Sequence, residues 1–323
     1  MAKRLYSIII PVYNRPDEVD ELLESLTHQT FRNFEVIVVE DGSVEKCDKV
    51  VEKYVHELNI SYCYKENAGQ GFARNYGYER AKGEYFIVFD SDCIIPNNYL
   101  ETVDNSLNNK YLDAYGGPDK AHDSFTPIQK AIDFSMTSSL TTGGIRNKKK
   151  ALGGFSPKSF NMGISRSVFD ATGGYIIPFK GEDIEFSTRI QKMGYKVGLI
   201  EDAFVYHKRR TSWYKFFKQL HFFGTARINI ARFFPDQLKL VHFFPAIFTL
   251  GLFITIGLWF IYPPFAEILT VIYSAYFAIL FIDALLKTHN LLISILGIWA
   301  AFLQLTAYGL GLLQELITRM FKK

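Results

Sequence analysis

The C-terminal quarter of the chain is apolar almost throughout, and this feature restricts the possible folds more than any other. Three segments there have about the 20 apolar residues that a membrane-spanning helix needs. They are residues 241–262, 268–286 and 291–317. Because charged residues are almost absent from the region, membrane spans are favoured over buried helices of a large soluble core. The sequence therefore predicts a soluble part followed by a helical membrane region.

Residues 207–240 join these two parts and combine basic with aromatic side chains. Residues 207–239 contain eight Lys or Arg and one acidic residue. Such a composition also occurs in nucleic-acid-binding segments, but the net charge of +3 gives the whole chain no strong positive field. The position directly before an apolar segment favours an interfacial helix, with rings at headgroup depth and cations on anionic lipid.

The same cations predict an orientation in the membrane. Basic residues next to a span tend to stay on the cytosolic side. Three spans that start inside would leave the basic C-terminal sequence RMFKK outside, against this tendency. Either the last segment is not a simple span or the rule fails locally, and the sequence leaves both readings open.

The N-terminal sequence and the cysteines agree with a cytosolic soluble part. The apolar run at residues 8–12 is too short for a signal peptide and is predicted to be a buried strand. Cys47, Cys63 and Cys93 are scattered and lack metal-site spacing, which fits a reducing compartment. We expect a multi-pass protein of a bacterial inner or plasma membrane.

The first 120 residues alternate between strand-like and helix-like patterns. Residues 6–13 form a continuous apolar run, as in strands covered on both faces. Val19, Leu22, Leu23 and Leu26 then share one helical face. Further strands are predicted at FEVIVVEDGS, ISYCYKEN and EYFIVFDSDC, separated by helices. The alternation predicts an α/β fold with a mostly parallel sheet and helices on both faces.

The pattern is less regular between residues 111 and 205. Residues 137–159 are rich in Ser, Thr, Gly and Lys. This composition fits a mobile loop over a site or a disordered linker, and the sequence does not choose between them.

Acidic residues gather where the predicted strands end. Glu40 and Asp41 follow the second strand, and Asp90 and Asp92 follow the fourth. Ligands bind at the carboxyl ends of the strands in an open parallel sheet, and acids that meet there need a cation nearby. At spacing i, i+2, Asp90 and Asp92 can face one divalent ion such as Mn²⁺ or Mg²⁺. The alternative is an ordinary turn.

Three more acids begin the predicted helix in the sequence FKGEDIEFSTRI. Glu182, Asp183 and Glu185 fall in its first turn, where the helix dipole favours negative charge. Glu185 is spaced for an ion pair with Arg189, four residues later. Asp183 shares a face with apolar residues, so its side chain is expected to lean toward the protein.

Six short motifs occur in order along the first 200 residues: PVYN, EDGS, ENAGQGFARNYG, DSD, NMGIS and GEDIE. Each is weak singly, but the ordered set resembles the family 2 glycosyltransferases over about residues 5–205. The resemblance implies a GT-A fold, which is Rossmann-like, and a nucleotide-diphosphate sugar donor such as a UDP- or GDP-sugar. It also implies a divalent metal, Mn²⁺ or Mg²⁺, and transfer with inversion at the sugar.

The resemblance assigns residues to the donor site. The nucleotide-binding positions of the family correspond to Pro11, Tyr13, Asp41, Asn67, Gly69, Arg74 and Asp90. Glu40 replaces an aspartate that the family often has, which leaves Asp41 intact. Arg74 would counter a phosphate, the alternative being a surface arginine on a helix.

The metal site is assigned in the same way. Asp90 and Asp92 match the metal motif of the family, with Asp92 as the expected direct ligand. His207 is a further candidate ligand of the metal or the diphosphate. The alternative is that His207 simply begins the basic segment.

On the acceptor side, Asn161 and Met162 match the segment that lines this side in the family, and Glu182 is expected to shape the site or hold its turn. Asp183 is predicted to be the catalytic base. An acceptor hydroxyl is a poor nucleophile, and a carboxylate within hydrogen-bonding reach can take its proton as the attack develops.

The resulting expectation is a membrane-anchored, metal-dependent, inverting glycosyltransferase of the hexosyltransferase type. Its acceptor would be a hydroxyl of a lipid-linked glycan, in the synthesis of a surface polysaccharide or glycolipid. The predicted domains are residues 1–206, 207–240 and 241–323, for the GT-A domain, the interfacial segment and the membrane helices. The alternatives are a polyprenyl-phosphate glycosyltransferase and a non-catalytic nucleotide-sugar-binding membrane scaffold.

Overall fold

The structure is a computed structural model that describes residues 4–120, 122, 125–143 and 155–321. Residues 144–154, about half of the segment predicted as a loop or linker, lie outside the described residues. The chain divides into two compact units. Unit 1 comprises Met1–His122 and Phe155–Lys208, and unit 2 comprises Asp123–Gly154 and Arg209–Lys323.

The strands of the described residues all belong to unit 1. In chain order they are β1 (Tyr6–Val12), β2 (Phe34–Asp41), β3 (Ile60–Lys65), β4 (Tyr85–Phe89), β5 (Cys93–Ile94), β6 (Ala114–Gly116), β7 (Asp119–Lys120), β8 (Asn161–Ser165), β9 (Val197–Leu199) and β10 (Val205–His207).

The helices are distributed over both units. In chain order they are α1 (Pro16–Thr27), α2 (Asp48–Glu52), α3 (Gln70–Tyr78), α4 (Tyr99–Asn109), α5 (Pro127–Thr137), α6 (Ser139–Thr142), α7 (Arg166–Thr172), α8 (Glu182–Lys192), α9 (Trp213–Ile230), α10 (Phe244–Ile261), α11 (Pro263–Thr288) and α12 (Leu291–Phe321).

Seven strands form the main sheet in the order β3-β2-β1-β4-β8-β6-β9. The first four are parallel neighbours, and β9 is parallel to β6. Strand β8 is antiparallel to both β4 and β6. The predicted α/β fold with a mostly parallel sheet is confirmed, and it brings the carboxyl ends of β1 to β4 to one edge.

Apolar side chains alternate between the two faces of this sheet. In β1, Ile8 and Ile10 pack on the face covered by α1, while Ile9 packs on the face covered by α3 and α8. The four apolar residues predicted to share one face of α1 are all fully buried. Both faces are therefore closed to solvent, as the continuous apolar strands require.

A second, three-stranded sheet has the order β5-β10-β7. Strand β10 is antiparallel to β5, with His207 opposite Cys93. This pairing holds His207 near the end of β4, although a long irregular segment separates the two in the sequence.

Unit 2 is helical and contains α5, α6 and α9 to α12. By length and composition, α10, α11 and α12 are each able to cross a membrane. The predicted apolar segments are therefore confirmed as helices. Helices α5 and α6 precede residue 206 but belong to this unit, because Ile132 and Met136 of α5 pack against α9 and α12.

Candidate functional site

The loops after β1 and β2 are joined by Asn14 and Glu40. The backbone N–H of Asn14 donates to Ser43 Oγ, and Asn14 Oδ1 accepts from the N–H of Val44. Asn14 has a φ of +53°, a conformation that asparagine tolerates better than most residues. Glu40 is fully buried and accepts from the N–H of Cys47. The glutamate that departs from the family pattern therefore holds the loop in place.

Asp41 organises the turn that precedes α3. Its carboxylate accepts from the backbone N–H groups of Ala68 at 3.0 Å and Gly69 at 2.9 Å, and from Lys65 Nζ at 2.6 Å. Asn67 Nδ2 donates to the backbone oxygen of Asp41 at 2.8 Å. The structure thus brings together three of the predicted nucleotide-site residues, Asp41, Asn67 and Gly69.

Gly69 has a backbone that other residues rarely adopt. Its φ is +95°, and a Cβ there would lie 2.7 Å from Cβ of Pro178. The N–H of Gly71 donates to the backbone oxygen of Pro178. The start of α3 therefore packs closely on the segment that leads to α8.

Two other predicted donor-site residues line the edge of the sheet, with Tyr13 exposed and Pro11 half-buried.

Arg74 connects the two acidic segments of the site. It is fully buried, so it is not a surface arginine. Its Nη2 donates to Asp90 Oδ1 at 2.9 Å, and its Nη1 donates to Glu182 Oε1 at 3.1 Å. Burial opposes a charged guanidinium, but Tyr175, Asp90 and Glu182 outweigh it and raise the pKa of Arg74.

Glu182 is the acid of the α8 turn that faces Arg74. It is 3% exposed and also accepts a hydrogen bond from Gln70 Nε2 of α3. Burial raises the pKa of Glu182, the charge of Asp183 raises it further, and Arg74 opposes both. Glu182 therefore holds α3 and α8 together.

Asp183 and Glu185 differ in their surroundings. The Asp183 side chain keeps 20% exposure and has Lys158 Nζ at 3.6 Å from Oδ2. Glu185 is buried and pairs with Arg189, with Nε–Oε1 at 2.7 Å, as the i, i+4 spacing predicts. Of the three acids in the turn, Asp183 has the carboxylate most accessible to a substrate.

Two residues with positive φ precede α8. Lys180 has a φ of +65° and Gly181 a φ of +100°. A non-glycine residue in this region is uncommon. The turn presents the N-terminus of α8, where the helix dipole attracts negative charge.

Asp92 lies between a cation and an imidazole. Its Oδ2 is 2.8 Å from Arg15 Nη1, and its Oδ1 is 3.0 Å from His207 Nε2. Cys93 lies in the same cluster, where the candidate ligand atoms are within 4.8 Å of one another. The β5–β10 pairing brings His207, the further candidate ligand, next to Asp92. Asp90 instead turns toward Arg74.

This donor set suits a divalent ion in part. A carboxylate oxygen and an imidazole nitrogen can both bind Mn²⁺, and substrate phosphates commonly complete the shell of such ions. Cys93 is buried, and its thiol is a soft ligand, whereas Mn²⁺ and Mg²⁺ favour oxygen ligands. The fitting ligands are therefore Asp92 and His207.

Asn161 and Met162 lie in the middle of unit 1 rather than at an open surface. Both are fully buried in β8. Asn161 Nδ2 donates to the backbone oxygen of Ala203 at 2.8 Å, and its Oδ1 accepts from the hydroxyl of Tyr99. The side chain of Asn161 thus holds the segment before β10 against the main sheet.

Three residues of the cluster were not among the predicted site residues: Arg15, Lys65 and Gln70. Each contacts a predicted site acid, namely Asp92, Asp41 or Glu182. Arg15 directly follows the motif PVYN, and Gln70 lies within the motif ENAGQGFARNYG, so the motifs could have indicated both residues. Lys65 ends a strand, and nothing in its local sequence marks it.

Fold and site together define an α/β protein in which Asp41, Asp90 and Asp92 converge at the carboxyl ends of a mostly parallel sheet, each beside a basic partner. A sequence model of the glycosyl transferase family 2 matches residues 7–173, and the chain belongs to this family.

Curated relatives are similar over about a third of the chain. An uncharacterized glycosyltransferase of Rickettsia typhi is 42% identical over 116 residues, which are 35% of this chain and 36% of the relative. The glycosyltransferase GlyG of Streptococcus pneumoniae is 33% identical over 115 residues, which are 35% of this chain and 38% of the relative. The chain thus spans little more than a third of the length of these relatives.

Two solved structures share the fold. The mannosyltransferase PcManGT of Pyrobaculum calidifontis, in complex with GDP-Man and Mn²⁺, has a TM-score of 0.60 and 17% identity over all of this chain and 89% of that one. TarS of S. aureus, in complex with UDP-GlcNAc, has a TM-score of 0.50 and 22% identity over 70% of this chain and 67% of that one. The predicted GT-A fold is confirmed.

Proposed function

We propose that the protein is a membrane-anchored, inverting glycosyltransferase that moves a sugar from a nucleotide-diphosphate donor to a hydroxyl of a lipid-linked glycan. The observation that carries this proposal is that the acids of the site have different partners and different exposure. Asp41 and Asp90 are held by basic partners, Asp92 meets His207, and Asp183 stays accessible. Family membership supports the reaction class.

The donor would bind at the carboxyl ends of β1 to β4. Tyr13 and Pro11 offer an apolar surface to the base, and the turn fixed by Asp41 offers Asn67 and Gly69. Arg74 holds Asp90 at the same edge, so its role is to position the acid rather than to meet a phosphate freely. A UDP- or GDP-sugar fits this class of site, since the two structural relatives above were solved with such donors.

Asp92 and His207 would hold the divalent ion, Mn²⁺ or Mg²⁺. When bound, the ion supplies positive charge that neutralises the diphosphate leaving group. Arg15 lies on the other oxygen of Asp92, so it orients this carboxylate and adds positive charge beside the diphosphate.

Asp183 would act as the base. It receives the proton of the acceptor hydroxyl as the oxygen forms its bond to C1 of the sugar and the bond from C1 to the diphosphate breaks. Attack from the face opposite the diphosphate inverts the anomeric centre. General bases of this kind contribute about 10²- to 10⁴-fold to a rate. Asn161, Met162 and Glu182 support the acceptor side from within the fold.

Unit 2 would anchor the protein in a bacterial inner or plasma membrane, with the catalytic unit on the cytosolic face. Three helices long and apolar enough to cross a membrane support anchoring. An acceptor that is itself a membrane lipid would explain why a cytosolic transferase needs an anchor, and a surface polysaccharide or glycolipid is the expected product.

The test is donor turnover by the purified protein in detergent. Nucleoside diphosphate release is measured with a panel of UDP- and GDP-sugars, with and without Mn²⁺. We expect release from one donor class that depends on the metal and is lost in Asp92→Asn. Equal activity of Asp92→Asn and the unaltered protein would refute the metal assignment, and no turnover of any donor with membrane lipid extracts as acceptor would favour a binding scaffold.

A second candidate acceptor is a polyprenyl phosphate. Lys158 near Asp183 favours it, because a cation beside the acceptor side suits an anionic nucleophile. A phosphate oxygen needs no base, so the two candidates separate in Asp183→Asn. Transfer that survives this change would assign the phosphate acceptor.

A further inference from the structure

Whether α12 crosses the membrane decides on which side the C-terminus lies. We propose that only α10 and α11 cross, as a hairpin, and that α12 lies across the base of this hairpin in the interface of the leaflet that α10 enters. Its partner there is the anionic lipid surface. This inference rests on the proposed membrane anchoring and adds the topology that the sequence left open.

Helices α10 and α11 form an antiparallel hairpin joined at Tyr262. The Tyr273 hydroxyl donates to the backbone oxygen of Phe248 at 2.7 Å, and Trp259 Nε1 donates to Thr270 Oγ1 at 3.3 Å. The 18 residues of α10 span about 27 Å, close to the thickness of a bilayer core. Most side chains along the hairpin are exposed and apolar, as lipid contact requires.

Helix α12 meets the two arms of the hairpin one after the other. Its Ala301 belongs to an apolar cluster with Leu280 and Ala284 of α11. Further along, Thr249 Oγ1 of α10 lies 3.3 Å from the backbone oxygen of Leu305. Gly309 then lies against Pro245 of α10.

These contacts lie in the half of the hairpin away from its turn at Tyr262. The rings of Phe248 and Tyr276 are 6.1 Å apart, which places the start of α10 beside the second half of α11. From Ala301 to Gly309, α12 advances about 12 Å. That distance is close to the 8–10 Å between neighbouring helix axes. Helix α12 therefore crosses from one arm to the other over this stretch. Its first turns run beside the end of α11, where Ser294 Oγ lies 3.2 Å from Thr288 Oγ1.

The C-terminal half of α12 is also covered by the basic helix α9. Gly311 lies against the backbone oxygen of His221, and Gly224 against that of Tyr308. Glycines at these positions let the two helices approach closely. Lys215 and Lys218 of α9 are exposed, so α9 lies where water or headgroups are available. A helix packed along α9 shares this environment.

The burial of α12 differs from that of the hairpin. In the most apolar 18-residue stretch of α12, 44% is buried within the protein, compared with 11% of the corresponding stretch of α11. Of the exposed apolar residues near its N-terminus, Leu292, Ile295 and Trp299 are spaced as one helical stripe, and Leu291 lies beside it. A single exposed stripe with a tryptophan is typical of a helix in the membrane interface.

The charges of the sequence fit two spans better than three. Neither Lys nor Arg occurs between Lys239 and Lys287, and the turn of the hairpin carries only Glu267 as a charged neighbour. Lys287 pairs with Asp283 at 2.8 Å at the base of α11. With two spans, the cations before α10, at the end of α11 and at the C-terminus are all on one side, as the positive-inside tendency predicts.

Cysteine labelling in sealed vesicles tests this topology. A Cys63→Ser background retains Cys47 and Cys93, which are buried. Single cysteines are then introduced as Glu79→Cys in unit 1, Tyr262→Cys at the turn of the hairpin and Met320→Cys at the end of α12, all exposed positions. Inside-out and right-side-out vesicles are treated with a membrane-impermeant maleimide.

We expect Glu79→Cys and Met320→Cys to be labelled from the same side, at least tenfold more than after vesicle inversion, and Tyr262→Cys to be labelled from the opposite side. Labelling of Met320→Cys from the side opposite Glu79→Cys would overturn the proposal, as would labelling of Tyr262→Cys from the same side as Glu79→Cys. Carbonate extraction of the same membranes is the control for anchoring. Release of the protein by carbonate would refute the anchor itself. If the protein is retained but Met320→Cys is labelled from the side opposite Glu79→Cys, only this inference is refuted.

Discussion

Arg74 is the side chain that joins Asp90 to the turn that carries Asp183, the proposed base. Its two terminal nitrogens each meet one acid, Asp90 on one side and Glu182 on the other. A buried cation between two acids keeps both close without mutual repulsion. Because the guanidinium is a planar fork, lysine cannot make both contacts from one nitrogen in the same geometry.

Arg74→Lys tests this bridge. We expect the free energy of unfolding to fall by about 1–3 kcal/mol, because one acid is left buried without its donor. Arg80→Lys is the matched control, since Arg80 is exposed at the end of the same region and should change stability by less than about 0.5 kcal/mol. Thermal unfolding of the detergent-purified variants measures both, and equal midpoints for the two variants would contradict the bridge.

Glu182 gives the stability of unit 1 a dependence on pH. Its pKa is raised in the folded protein, so its contribution to stability is fully present below the ordinary glutamate value of about 4.3 and is lost as the pH rises through the folded pKa. We therefore expect the unaltered protein to lose stability relative to Glu182→Gln as the pH is raised from about 4 toward neutrality. Unfolding midpoints of both proteins across this range measure the difference. A difference that stays constant with pH, or changes with the opposite sign, would contradict the assignment.

At the scale of elements, the pairing of β10 with β5 builds the metal-ligand candidate. His207 follows Asp92 by more than a hundred residues and reaches it only because the short antiparallel pair places it opposite Cys93. The ring of Phe160 stacks on the His207 imidazole at 4.8 Å, which fixes its orientation. Backbone pairing and ring stacking together hold the imidazole at Asp92.

His207→Ala should weaken metal binding while the fold is retained. In the presence of UDP or GDP, Mn²⁺ is expected to raise the unfolding midpoint of the unaltered protein, and this shift should shrink at least by half in His207→Ala. His56→Ala is the control, because His56 is exposed, lies between α2 and β3, and is not part of the candidate metal cluster. An unchanged Mn²⁺ shift in His207→Ala would remove this residue from the site.

The sequence predicts the elements of unit 1 well because their signals are local. Continuous apolar runs become the buried strands β1, β2 and β4, and the apolar face of α1 is buried as its spacing requires. The pair Glu185–Arg189 is also local, since the two residues are one helical turn apart.

Long-range contacts were less accessible from the sequence. The burial of Arg74 depends on α8, which lies about a hundred residues further along the chain. The side-chain amide of Asn161 forms hydrogen bonds with the backbone oxygen of Ala203 and the hydroxyl of Tyr99. No pattern in the sequence around Asn161 indicates these partners. Motif matching therefore found the positions of the site, while partners such as Arg15 and Lys65 needed the three-dimensional structure.

On the scale of the whole molecule, the two units are not two successive stretches of chain. Unit 1 is interrupted by α5 and α6, which pack with the helices of unit 2. Ile132, Phe134 and Met136 of α5 contribute apolar side chains to clusters whose other members come from α9, α11 and α12. The predicted boundary at residue 206 thus cuts these clusters.

A fragment of residues 1–208 should therefore behave poorly in solution. We expect it to associate or precipitate, because the apolar face of α5 loses its covering helices. The same fragment with Ile132→Ser, Phe134→Ser and Met136→Ser should show a larger monomeric fraction by size-exclusion chromatography. A fragment that is monomeric without these changes would show that α5 does not need unit 2.

Sugar transfer into membrane lipid is the measurement that tests the central claim most directly. Membranes that contain the unaltered protein, Asp183→Asn or the exposed control Asp170→Asn are incubated with a radiolabelled nucleotide sugar that binds the protein. The label in the solvent-extracted lipid fraction is then counted.

We expect the unaltered protein and Asp170→Asn to label the lipid equally, and Asp183→Asn to lose about 10²- to 10⁴-fold of the rate while it still binds the donor. Equal labelling by Asp183→Asn and the unaltered protein would contradict the role of Asp183 as the base for a hydroxyl acceptor. If the unaltered protein labels no lipid with any donor it binds, transfer to a membrane acceptor is contradicted.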